Sequence, residues 1–138
     1  LLHQNQACMF SFVVFLHQRF AIALILYAAI LGLWGLIQTW RRNQVSAGFR
    51  SSFVLMIALT AVQGLAGLGA LLSGGRPHEL LHVVYGIFAV IFLPGVYFYA
   101  AAKGPKSGTA AGRMREAAFL TGACWIVAIA FGRGLLTG

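Results

Sequence analysis

Residues 20–40 read FAIALILYAAILGLWGLIQTW, a run with no acid and no base. It is about the 20 residues an α-helix needs to cross a hydrocarbon core roughly 30 Å thick. Arg41 and Arg42 end it, and Trp40 beside them suits a membrane interface. Three further apolar runs follow at residues 53–72, 80–102 and 117–132. The second closes on Ser73-Gly74-Gly75, residues that favour a turn. Pro77 suits the first turn of the third, with His78 and with Glu79 complementing the helix dipole there. Within the third run, Pro94-Gly95 is expected to kink the helix, because Pro94 removes a ladder N–H and its ring clashes with the preceding turn. The fourth is preceded by Arg113 and Arg115 and followed by Arg133, which can snorkel. The expected fold is all-α and integral to the membrane, four transmembrane helices forming two hairpins over residues 20–138.

Composition agrees: of 138 residues, 60% are hydrophobic and 9% charged, whereas a soluble domain keeps roughly a quarter of its residues charged. The net charge of +8 would suggest nucleic acid in a soluble protein, but the basic residues sit in short loops between apolar runs, so nucleic acid is excluded as a partner and the lipid bilayer takes its place. Arg41, Arg42 and Arg50 flank the first loop, and Lys103, Lys106, Arg113 and Arg115 the third; the second holds Arg76 alone. Since cytoplasmic loops carry the Lys/Arg excess, loops 41–52 and 103–116 are expected in the cytoplasm and both termini outside the cell membrane.

Residues 1–19 form a separate expectation. The apolar stretch 7–16 has no preceding base, so it does not read as a cleavable signal. Fusing it to the first helix would make a rod near 50 Å, longer than the bilayer core. With Phe10, Phe12 and Phe15 it reads as an outer-surface or interfacial segment, a helix projecting from the membrane being the alternative. Cys8 and Cys124 are too few for a disulfide framework. Leu71-Leu72-Ser73-Gly74 is echoed by Leu135-Leu136-Thr137-Gly138, a resemblance between hairpins that apolar helices produce easily by chance.

Few residues carry chemistry. His78-Glu79-Leu80-Leu81-His82 matches the zinc-protease pattern formally. A catalytic zinc needs a third protein ligand, and the other acid, Glu116, is expected at the opposite membrane face, so no enzyme is read. His82 is the better candidate as a haem ligand, since Gly86 one turn on leaves room for a flat macrocycle; a partner ligand at similar depth is needed, and His17 is expected on the same outer side. His3 lies on that side too. The plain alternative is an interfacial histidine near Tyr85, satisfied by water, backbone or headgroups. No ionisable residue falls mid-helix, which argues against a proton-coupled transporter, and Gln63 is expected to make an interhelical hydrogen bond. Ala28 and Gly32, Ala66 and Ala70, and Ala118 and Gly122 repeat at the four-residue spacing that lets helices approach. Phe88, Phe92, Tyr97, Phe98 and Tyr99 could face lipid, pigment or a partner helix.

The run Leu80-Leu81-His82-Val83-Val84-Tyr85-Gly86, with Pro94-Gly95 and the aromatic stretch 97–101, resembles uncharacterised four-helix membrane proteins of filamentous anoxygenic phototrophs and their relatives. These are similar to accessory subunits of electron-transfer assemblies such as alternative complex III or a reaction centre. The resemblance implies an accessory subunit of a larger respiratory or photosynthetic electron-transport complex, with other membrane subunits as partners. A b-type haem- or quinone-binding electron carrier using His82 with His17 is the other reading.

Overall fold

Hydropathy decides where this chain is helical, and local caps decide where each helix stops. The computed structural model describes residues 2–76, 79–104 and 108–137, with side chains from Cys8 onward. It holds α1 (Leu2–Arg42), α2 (Ala47–Leu72), α3 (Leu80–Lys103) and α4 (Ala110–Thr137) and, among the described residues, no strand. All four are long and apolar enough to cross a membrane. This is an all-α, multi-pass membrane protein.

The boundary expected at Phe20 is not a break. α1 is one helix of 41 residues, about 62 Å at 1.5 Å per residue. No glycine or proline precedes Gly32, so nothing in the backbone interrupts it. Within it Phe10 lies against Gly75 at the α2–α3 turn. Eight residues therefore extend past that turn, about 12 Å of helix.

α1 ends where Asn43 turns left-handed at φ 51° and donates to the Thr39 carbonyl. Ser46 then caps α2, its Oγ accepting from the Phe49 N–H at 3.2 Å. Gln38 stitches the turn by accepting from the Ser46 N–H at 2.6 Å and donating to Ser46 Oγ at 3.1 Å. The cap starts α2 before the apolar run begins at Phe53. At its other end Gly74, with φ 93°, lets the Gly75 and Gly74 N–H groups reach the Ala70 and Leu71 carbonyls, a Schellman closure. α4 likewise begins before its apolar run, where Thr109 Oγ1 accepts from the Gly112 N–H. Charged residues end an apolar span but not a helix. α3 runs through Pro94 as one helix, and Glu79 occupies its N-cap position; Pro77 and His78 lie outside the described residues.

The helices run alternately up and down, each packed on its chain neighbours, and α1 closes the ring against α4. Phe49, Phe53 and Met56 of α2 fill the centre with Leu24, Ala28 and Leu31 of α1, Leu93 of α3, and Leu120, Cys124 and Val127 of α4. Tyr27 donates to the Ser52 carbonyl at 2.9 Å, and Phe53 stacks on Tyr97. The tightest approach is at Gly35, where an added Cβ would lie 2.5 Å from Thr121 Oγ1 and 2.8 Å from the Phe49 ring.

Candidate functional site

The end of the bundle formed by the α2–α3 turn and the last turn of α4 draws a polar group from every helix. His17 projects from α1 and His82 from the first turn of α3, their ring centres 5.9 Å apart and their planes at 65°. His82 Nδ1 lies 2.8 Å from the Gly134 carbonyl of α4. A carbonyl only accepts, so Nδ1 carries a proton, and in the neutral imidazole Nε2 is the nitrogen with the lone pair. That is the arrangement seen where a backbone carbonyl holds one ring nitrogen and orients the other toward a metal. The Glu79 N–H donates to the Thr137 carbonyl at 3.3 Å, fixing the start of α3 on the end of α4.

His17 is seated by α2. Its ring lies against Gly67, where an added Cβ would come within 2.9 Å of Cε1 and 3.6 Å of Nδ1. Any side chain larger than hydrogen would displace the imidazole. Gln63, one turn before Gly67, donates from Nε2 to the His17 main-chain carbonyl at 2.8 Å, an interhelical bond of the kind expected for it. His17 Nδ1 and Gln63 Oε1 are both buried without a partner among the described residues. Such atoms are rare and call for an explanation. A neighbouring Cβ at Gly86 would meet nothing within 4 Å, so the α3 surface one turn below His82 is open.

The other expected site residues fall elsewhere. His78 of the protease-like string lies outside the described residues, as does the His3 side chain. Glu116 sits 18 residues along α4 from Gly134, about 27 Å, so it cannot complete a site at His82. No group of three metal-binding side chains occurs among the described residues.

The small-residue pairs divide. Ala28 is buried, and Gly32 admits Trp125 and Cys124, which would lie within 3.3 Å of an added Cβ. Ala66 and Ala70 are part-buried. Ala118 is exposed, and nothing lies within 4 Å of a Cβ on Gly122. α4 meets α1 through Thr121 and Cys124. Ala118 and Gly122 join Gly95 in an open apolar groove of about 560 Å³ between α3 and α4, walled by Phe92, Tyr99 and Phe119.

Sequence reasoning missed the Arg50–Glu116 pair. Arg50 donates from Nε and Nη2 to both Glu116 oxygens, at 2.6 and 2.8 Å. The available signal was that an acid opening an apolar helix must find a cation. Missed too was Gly67, whose role is the absence of a side chain.

Compared with protein families, curated proteins and solved structures, the chain has no match. The resemblance to accessory subunits gains no support there.

Proposed function

We propose that His17 and His82 would together hold a b-type haem, making this chain a membrane electron carrier. The observation that supports it is the 5.9 Å between two imidazole centres drawn from different helices. Ring centres this close would let both imidazoles hold one metal. Packing alone accounts for the His82–Gly134 bond, but it has no need of the second ring or of the buried, partnerless His17 nitrogen. When bound, such a group supplies one-electron chemistry that no side chain here supplies. His82 offers Nε2, Gly134 holds its ring, Gly67 makes room for His17, and open Gly86 leaves space at the edge.

The test is a reduced-minus-oxidised spectrum of the purified protein, and of the same protein titrated with hemin. A Soret band is expected, lost in His82→Ala and in His17→Ala, while Gly67→Val weakens hemin binding by at least about tenfold. Unchanged elution in detergent shows that the variants still fold. No band after hemin addition, or a band that survives both histidine variants, overturns the reading.

The open Ala118–Gly122 groove favours a second reading, an accessory subunit of a larger respiratory or photosynthetic assembly, in which that face receives a partner helix. Gly122→Leu is then expected to abolish copurification of defined partner subunits in mild detergent, with the spectrum unchanged.

We further infer that the end carrying Arg41, Arg42, Lys103, Arg113 and Arg115 is cytoplasmic, since the short loops there hold the basic excess. In a cysteine-free background, a Cys at Ser73 is expected to react with an impermeant reagent in intact cells and one at Ser107 to stay protected. The opposite pattern inverts the topology.

A further inference from the structure

The basic end of the bundle holds a built cavity. It is about 340 Å³, lined by Trp34, Ile37, Gln38, Arg41, Arg42 and Ser46. Trp34 and Ile37 are exposed apolar residues on the membrane side of the cavity, and the two arginines close it one turn further on. Its hydrogen-bonding capacity is one-sided. Gln38 Oε1 already accepts from the Ser46 N–H and Gln38 Nε2 already donates to Ser46 Oγ. Ser46 Oγ also accepts from the Phe49 N–H, so what Ser46 has left to offer is its hydroxyl hydrogen.

Among the described residues no acid answers the arginines. The sequence holds two acids: Glu116 is taken by Arg50, and Glu79 stands before α3 at the far end of the bundle. Among the described residues neither Arg41 nor Arg42 has an ion-pair partner. A cavity with donors at its aqueous end and an apolar wall running toward the bilayer centre matches a molecule with an anionic head and a hydrocarbon tail.

We propose that this cavity binds an anionic phospholipid, its phosphate held by Arg41, Arg42 and the Ser46 hydroxyl and its chain lying along Ile37 and Trp34. Guanidinium groups match phosphate oxygens two at a time. Free phosphate would leave the apolar wall uncovered, which decides for the lipid. The site is independent of the histidine pair and stands whether or not a haem is bound.

The experiment uses the full chain, delipidated in detergent, with phosphatidylglycerol, phosphatidylcholine or inorganic phosphate added at equal concentration. Lipid retention is read by native mass spectrometry and stability by thermal unfolding. Phosphatidylglycerol is expected to be retained and to raise the unfolding temperature. The double variant Arg41→Gln/Arg42→Gln loses that retention by about tenfold or more, each basic residue near an anionic surface adding to the attraction. Arg113→Gln/Arg115→Gln removes the same charge from the same end outside the cavity, and is expected to keep retention within about twofold. The proposal fails if that second pair loses as much, if phosphatidylcholine is held equally, or if inorganic phosphate alone reproduces the stabilisation. Equal unfolding temperatures of wild type and both variants in phosphatidylcholine show that folding is intact.

Discussion

Arg50→Gln is expected to lower the unfolding free energy by about 2–3 kcal/mol. Both Glu116 oxygens are held by the Arg50 guanidinium, and Glu116 is 3% exposed against 33% for Arg50. Removing the arginine strands a carboxylate that cannot reach water. Breaking a fully buried pair costs about 3–5 kcal/mol, and the lower figure allows for the solvent that reaches Arg50. Glu116→Gln should cost less, about 1 kcal/mol, because the amide still accepts a hydrogen bond and Arg50 can turn outward. The double variant is then expected to be more stable than Arg50→Gln alone. Denaturant unfolding in detergent across the four proteins measures this coupling. An Arg50→Gln protein as stable as wild type would show that Glu116 has another partner.

Gly35→Leu is expected to prevent assembly of the bundle, and Gly35→Ala to destabilise it by about 2–3 kcal/mol. The added Cβ would lie 2.5 Å from Thr121 Oγ1 on α4 and 2.8 and 2.9 Å from two Phe49 ring atoms on α2. Phe49 is fully buried, so it cannot swing away, and relief requires two helices to separate. Thr121→Ala removes the hydroxyl and should restore part of the loss in Gly35→Ala. Gly122→Ala is the control: nothing lies within 4 Å of that position, and alanine favours a helix over glycine by up to about 1 kcal/mol. Its unfolding midpoint should match wild type or exceed it. A Gly35→Ala midpoint equal to that of Gly122→Ala would contradict the close packing of α1, α2 and α4.

The number of helices and their centres were legible because lipid imposes one rule, about 20 apolar residues for each crossing. Their ends were not. Ser46 and Thr109 start α2 and α4 outside the apolar runs, and a capping hydroxyl does not register in hydropathy. Bilayer thickness sets residues 1–19 apart, yet the backbone has no reason to stop at Phe20. The expected topology puts His17 and His82 on the same side of the membrane. What seats them was not legible: Gly67 works by having no side chain, and Gly134 contributes a carbonyl that every residue possesses. Arg50 and Glu116 lie 66 positions apart, and only the antiparallel ring of helices brings them together. The face on which Ala118 and Gly122 fall was equally unreadable, since four-residue spacing identifies a stripe without saying what it meets.

The closure of α1 on α4 also has a schedule. Gly35 and Thr121 are partners separated by 86 residues, which a ribosome adds in about 4–17 s at 5–20 residues per second. Throughout that interval the first helix is in the bilayer without its most extensive partner, and the notch at Gly35 is open to lipid or to any neighbouring helix. Insertion and assembly are therefore separate events for this chain, as the two-stage view of membrane folding has it. α2, arriving first with Phe49, must hold α1 in register until the last helix emerges to lock it.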